Sequence, residues 1–175
     1  DIIFIVIPSN AHKEVAKLLA KEINPNQTII LNPGRTCGAL EFREVLKRNH
    51  CTHLPLIIET QSLLYTCRMV QPGRINVYAM KKHNCIATFN ENQIPNELKK
   101  ELGSLYPGLK IAPNTLYTGL DNIGAILHPA PVLLNTGWIE NRQSFFAHYY
   151  GGISRSIANL LEKLDQERIT IAGAY

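Results

Sequence analysis

Apolar and polar positions along the chain follow two rhythms, one in the first part and another in the last third. Residues 2–7, IIFIVI, form an unbroken apolar run rich in β-branched side chains, which predicts a strand covered on both faces, as in a parallel sheet. The turn PSN follows, with Asn10 as the expected helix cap, and Ala11, Val15, Leu18, Leu19 and Ile23 then recur at helical spacing. TIIL (28–31) predicts a second strand, NPGRTCG a glycine loop, residues 39–47 a second helix and LPLIIE (54–59) a third strand. Strands alternating with helices in this way predict an α/β sheet with right-handed crossovers.

After Tyr65 the rhythm changes. RINVYAM (74–80) and NCIATFN (84–90) predict two neighbouring strands, IPNELKKELGSLY (94–106) a helix and LKIA (109–112) a last strand. From Asn114 onwards the expectation is helix throughout. Leu116, Leu120, Ile123 and Leu127 form one stripe, and Ile153, Ile157, Leu160, Leu161 and Leu164 form another. The expected boundary is Pro113–Asn114, giving an α/β unit over residues 1–113 and an all-α unit over 114–175, with Asn114 capping the first helix of the second.

The 175 residues are 45% apolar and 18% charged, a globular composition long enough to bury a core. The net charge of +4 comes from cations scattered singly or in pairs such as Lys81-Lys82 and Lys99-Lys100, without the dense stripe of a nucleic-acid surface. No run reaches the roughly 18 apolar residues that cross a bilayer. DIIFIVIPSNAH lacks the basic flank and cleavage site of a leader, so the chain reads as cytosolic. Cys37, Cys51, Cys67 and Cys85 are irregularly spaced with no CxxC, which predicts reduced thiols. NHCTH (49–53) fits no standard zinc spacing and is expected to be a polar loop between a helix and a strand. A start at Asp1, directly on a strand pattern, suggests a segment of a longer polypeptide.

In an open α/β sheet ligands sit at the carboxyl ends of the strands, where three loops fall: Pro8-Ser9-Asn10, Asn32 to Gly38 and Glu59-Thr60-Gln61. Gly34 and Gly38 bracket Arg35, so backbone amides and a guanidinium could face an anionic or carbonyl-bearing ligand; the plain alternative is a tight turn with a solvated arginine. No GxGxxG occurs, and Gly151-Gly152 reads as a helix break. His128 precedes Pro129, so the helix from Asn114 is expected to stop or kink there. An imidazole at a helix end suits general acid–base work, and it equally suits a core histidine satisfied by a backbone carbonyl. The spacing leaves both open.

The stretches VIPSNAH, LNPGRTCGALEF, IETQSLLYTCR, NIGAILHPAPVLLNTGWIE and HYYGGISRSIANLLEKLDQERITIA, in this order and over nearly the whole chain, resemble the octopine/nopaline (opine) dehydrogenase family. The resemblance implies a Rossmann-type sheet, present here in part, followed by an all-helical domain, with the active site between them. It also implies NAD or NADP as cofactor and reductive condensation of an amino acid with a 2-keto acid such as pyruvate to an N-(1-carboxyalkyl)-amino acid. Carried onto this chain, it makes His128 the catalytic residue. It puts Glu59 and Thr60 in the amino-acid pocket, with Glu59 holding the substrate's ammonium or guanidinium, and adds Cys67 and Asn122 as further pocket positions. Pro8, Ser9, Asn10, Gly34 and Arg35 border the dinucleotide, and Trp138 serves helix packing. The partners implied are the small-molecule substrates, neither nucleic acid nor membrane, with a homodimer as the candidate assembly.

In the family the glycine fingerprint precedes the strand at Ile2 and an aspartate partner of the histidine follows Tyr175, so residues 1–175 alone are expected to bind cofactor poorly and to be inactive. Two other readings remain at this point. One is a related two-domain NAD(P)-dependent reductase, of the ketopantoate-reductase or hydroxy-acid dehydrogenase kind, and the other is a non-catalytic interaction module.

Overall fold

The computed structural model describes residues 1–90, 93–141 and 143–175. They form two compact units, Asp1–Asp121 and Asn122–Tyr175.

In the first unit, strands β1 (Ile2–Ile5), β2 (Thr28–Leu31), β3 (Leu56–Thr60), β6 (Asn84–Ala87) and β7 (Leu109–Ile111) make one sheet in the order β1-β2-β3-β6-β7. The first three run parallel, β6 is antiparallel to β3, and β7 is parallel to β6. Helices α1 (His12–Leu19) and α2 (Gly38–Arg48) connect the parallel strands. Ile29, Leu31 and Ile57 pack with Ala16, Phe42, Val45 and Leu46 on one face. Ile30, Ile58 and Ile86 pack with Ile94, Leu98 and Leu102, around α3 (Asn96–Leu105), on the other. This division follows the two-residue pleat: successive side chains of β2 and β3 enter opposite cores, which is why both strands read as continuous apolar runs. The mixed α/β class expected from the alternation is therefore what forms.

Several expectations are corrected. Within residues 2–7, Ile5 enters the first core with Ile3 and Ile7 packed against it, while Ile2 and Phe4 on the other face are 39% and 36% exposed. Asn10 lies inside a short 3-10 turn (Ser9–Ala11) ahead of α1 and makes no capping bond. RINVYAM and NCIATFN do not pair with each other. β5 (Arg74–Met80) pairs with β4 (Tyr65–Gln71), a strand not expected from the sequence, in a separate two-stranded sheet. The hairpin turns at Pro72-Gly73, where Gly73 has φ 76°, as the third position of a type II turn requires. NCIA, by contrast, joins the large sheet beside β3.

The helical region is broken more often than its stripes suggest. Helix α4 (Thr115–Leu120) packs on β3 and β6 in the first unit. Asn114 caps it as expected, its Oδ1 accepting the Leu116 and Tyr117 amides at 3.0 and 3.2 Å. In the second unit α5 (Gly124–Leu127), α6 (Pro129–Leu134) and α7 (Thr136–Glu140) are short, and α8 (Arg155–Ala172) is long. Ile157 and Leu161 of α8 are buried, and Ser154 caps that helix. The described residues between 141 and 154 are turns rather than helix. Here Trp138 packs edge-on against Phe146 at 5.3 Å, and the Asn135 amide donates to the carbonyls of Pro131 and Gly152 at 2.7 and 2.8 Å. A Cβ on Gly152 would lie 2.6 Å from the His148 carbonyl, so the backbone approaches too closely there for a side chain.

Phe42 has no exposed surface and closes the first core. Phe42→Ala is expected to cost about 3–5 kcal/mol, read from urea or thermal unfolding.

Candidate functional site

Parallel β1, β2 and β3 end together, and the loops that follow them meet at the carboxyl edge of the sheet. Val6, Ile7, Pro8, Ser9 and Asn10 after β1, Pro33 and Arg35 after β2, and Leu63 beyond β3 line an open cleft of about 440 Å³. Of the residues expected to border a dinucleotide, Pro8, Ser9, Asn10 and Arg35 thus come together on its walls. Gly34 lies buried next to Arg35.

The floor is a hydrogen-bonded network. The Gly34 amide donates to the Thr60 carbonyl at 3.0 Å. Thr60 Oγ1 sits 3.1 Å from Asn32 Oδ1 and 2.8 Å from the Ser62 carbonyl. Asn84 holds Ser62 through both its backbone groups, accepting from the amide at 3.2 Å and donating to the carbonyl at 2.7 Å. Lys81 Nζ donates to Ser62 Oγ at 2.9 Å, and burial together with the nearby Arg35 charge holds this ammonium below its ordinary pKa. Arg35 (φ 62°) and Cys37 (φ 60°) both adopt the left-handed backbone, a cost of about 1–2 kcal/mol per residue that the surrounding contacts must offset.

Glu59 stands near the carboxyl end of β3. Its side chain has no exposed surface. Oε2 accepts the Ala39 amide at 2.8 Å, in the first turn of α2, and Oε1 lies 2.5 Å from Thr118 Oγ1 of α4. Both oxygens are engaged within the protein, so in this conformation the carboxylate is not presented to a substrate cation. Burial pushes the Glu59 carboxyl above the usual carboxylate range, while the bonds from Thr118 and Ala39 pull it back. Thr60 is buried in the same floor, and Cys67 lies on the β4–β5 hairpin, outside the cleft lining.

His12 was not singled out from sequence. It is buried between α1 and α2, edge-on to Phe42, and among the described residues its Nε2 has no partner. Burial lowers its pKa from the ordinary 6.5, opposed by a bond to the Ile7 backbone and by the Glu41 charge.

In the second unit His128 is exposed. It keeps right-handed helical dihedrals (φ −93°, ψ −48°) despite preceding proline, yet the helix is interrupted there: α5 ends at Leu127 and Pro129 starts α6. Pro129 is tolerated because the first helical position needs no amide proton. His128 Nδ1 lies 3.0 Å from the Gly124 carbonyl, which can only accept, so Nδ1 carries a proton. Nε2 lies 3.0 Å from the Tyr149 hydroxyl, which can donate to the neutral ring or accept from the charged one. Asn122 Oδ1 and His128 Nδ1 both border Gly124, each 3.2 Å from where a Cβ would stand. His148 stacks edge-on to Tyr149 at 4.6 Å, with its centroid 5.8 Å from that of His128. Neither Tyr149 nor His148 was expected at the site. Their signal was the aromatic HYYGG, read as helix, whereas Thr118 carried no signal at all.

No helix among the described residues is long and apolar enough to cross a membrane, and no group of His, Cys, Asp and Glu among them could hold a metal. The four cysteines are free.

Two features define the class: a Rossmann-type sheet with its loops gathered at one edge, followed by short helices that present a histidine. Residues 111–175 match the family described as NAD/NADP octopine/nopaline dehydrogenase, alpha-helical domain. Across all 175 residues the chain is 41% identical to an opine dehydrogenase of Arthrobacter sp. (strain 1C), covering 48% of that protein. It is 27% identical over 88% of its length to an opine dehydrogenase of Haliotis discus hannai, covering 42% of that protein. The chain thus spans about half the length of the curated relatives it matches. Its fold is similar to octopine dehydrogenase solved with NADH and L-arginine (TM-score 0.70, 18% identity, 99% of this chain and 44% of that one). It is also similar to yersinopine dehydrogenase with NADP+ (TM-score 0.71, 17% identity, 92% and 41%). Residues 111–175 thus match the helical domain of the octopine/nopaline dehydrogenase family, and the whole chain is similar to opine dehydrogenases.

Two outcomes follow from the first unit. A Cβ on Gly34 would overlap Glu59 Cβ and lie 2.5 Å from Oε2. Gly34→Ala is therefore expected to cost about 1–3 kcal/mol in denaturant unfolding. Below the ordinary imidazole value of 6.5 an unfolded His12 binds a proton that the folded one does not, so stability falls as pH drops through that window. His12→Leu should flatten this acid-side decline in melting temperature between about pH 7 and 5; an unchanged slope would refute the assignment.

Proposed function

We propose that the protein containing this chain is an NAD(P)H-dependent opine dehydrogenase, an oxidoreductase that condenses an amino acid with a 2-keto acid such as pyruvate into an N-(1-carboxyalkyl)-amino acid. The observation that carries the reading is the 41% identity to one opine dehydrogenase along the entire chain, with His128 exposed and hydrogen-bonded at both ring nitrogens. In this reading residues 1–113 supply the second half of the dinucleotide-binding domain and residues 114–175 the start of the helical domain.

The cleft fits part of a dinucleotide: Val6, Ile7, Pro8, Pro33 and Leu63 offer apolar walls to a flat ring, and Arg35, with Lys81 close enough to feel its charge, offers a cationic rim to an anionic group. Pro8, Ser9, Asn10, Gly34 and Arg35 would hold the cofactor there. When bound, the reduced cofactor supplies the hydride. The chain's own contribution is the proton. With Nδ1 donating to the Gly124 carbonyl, His128 holds or releases a proton at Nε2 alone, the nitrogen that would face a keto or imine group in place of the Tyr149 hydroxyl. Asn122, across Gly124 from the ring, is the polar group best placed to touch the same substrate. Thr60 and Cys67 are kept as amino-acid pocket positions on the strength of the similarity to opine dehydrogenases along the whole chain, whereas the burial of Glu59 supports an indirect part for it.

In the complete protein, His128→Asn is expected to slow turnover by about 10²–10⁴-fold, measured as NADH oxidation with both amino acid and keto acid present, while the dissociation constant for NADH stays near wild type. Unchanged turnover would withdraw the catalytic assignment. NADH oxidation with keto acid alone would withdraw the opine reading.

A further inference from the structure

Arg35 is the cationic side chain on the cleft wall, and it sits in a turn that would not hold its shape unaided. Arg35 and Cys37, both with positive φ, are separated by a single residue. Such a turn persists only where its ends are fixed from outside. One end is fixed by the Gly34 amide on the Thr60 carbonyl. The other end is fixed by the Ala39 amide on Glu59 Oε2, and the second oxygen of that carboxylate reaches Thr118 on α4. α4 itself packs on the turn, with Thr36 Oγ1 3.5 Å from the Gly119 carbonyl and Gly119 beside the Cys37 amide.

We propose that Glu59, with Thr118, is a positioning residue that fixes the Arg35 turn at the cofactor cleft, and that it acts without touching either substrate. The proposal rests on the dehydrogenase reading for the identity of the ligand, and on buried geometry for the role. Glu59 Oε2 lies under Gly34 so closely that only a residue without a side chain fits above it, which ties the carboxylate to the turn by shape as well as by hydrogen bonds.

The network is satisfied with or without the charge. As a carboxylate, Glu59 accepts from the Ala39 amide and the Thr118 hydroxyl. As a neutral acid it donates to Thr118 Oγ1, which then donates to the Thr115 carbonyl 3.1 Å away. A glutamine reproduces the neutral arrangement: its oxygen accepts from Ala39 and its amide donates to Thr118. A residue that gripped a substrate cation would not survive that exchange, whereas a positioning residue would.

The test is made on the complete protein with Glu59→Ala, Glu59→Gln, Thr118→Val and Thr118→Ser. NADH affinity is read from fluorescence, KM and kcat from turnover, and melting temperature is recorded alongside. Glu59→Ala is expected to weaken NADH binding by about tenfold and Thr118→Val by about three- to tenfold, with Glu59→Gln and Thr118→Ser restoring most of the affinity. KM for the amino acid in Glu59→Gln should stay within about twofold of wild type.

A rise of about tenfold or more in that KM with NADH affinity unchanged would overturn the proposal, because the charge would then be meeting the substrate. A fall in melting temperature without any change in NADH affinity would overturn it too, since the network would then serve stability alone. Should Glu59→Ala fail to fold, the Thr118 pair decides: wild-type affinity in Thr118→Val rejects the proposal, and weakening rescued by serine supports it. Wild-type protein that binds NADH but makes no opine would reject the dehydrogenase reading and leave the affinity series to judge the latch. Wild-type protein that binds no dinucleotide would reject both.

Discussion

A carboxylate stripped of water by folding must find donors inside the protein, and the first unit is arranged around the donors Glu59 finds. β3 delivers it to the carboxyl edge of the sheet. The start of α2 turns the Ala39 amide toward one oxygen, and α4 brings Thr118 to the other. Each partner comes from a different element, so the carboxylate joins strand, turn and helix at one point, and Gly34 follows because nothing larger fits above it. The turn so held carries Arg35 on the cleft wall. A buried polar group of this kind is expensive unless complete, and here each oxygen has a partner.

His128 is held by a different device. Its ring is exposed, and its orientation comes from hydrogen bonds rather than packing: a backbone carbonyl four residues back fixes the proton on Nδ1, and the Tyr149 hydroxyl meets Nε2. A phenol suits that position because it donates to a neutral imidazole and accepts from a charged one, so the ring can change protonation state without losing a partner. The proposed acid–base role asks for such tolerance. Gly124 leaves room beside it for Asn122 Oδ1 and His128 Nδ1 in the second unit, as Gly34 does for Glu59 in the first.

In the first unit the sheet does ordinary work. β2 and β3 are buried on both faces and divide their side chains between two cores by the pleat, and the parallel register Ile5–Leu31–Glu59 brings the carboxyl ends of three strands level. The β4–β5 hairpin stands outside that sheet, so Cys67, on β4, lies away from the cleft lining.

Much of this was legible along the chain. The apolar runs marked β2, β3 and their helices within a residue or two, because burial on both faces leaves a signal every window of the sequence can register. Asn114 announced its cap, and the motif around His128 pointed to the family through residues close together in sequence. What the chain did not disclose depends on atoms far apart in it: that β4 and β5 leave the sheet as a pair, that Glu59 turns inward to Thr118 fifty-nine residues away, and that Tyr149 reaches back to His128. Periodicity reports how much of a residue is buried but not against what. Which donor meets which acceptor is decided only when the strands have paired and the loops have closed.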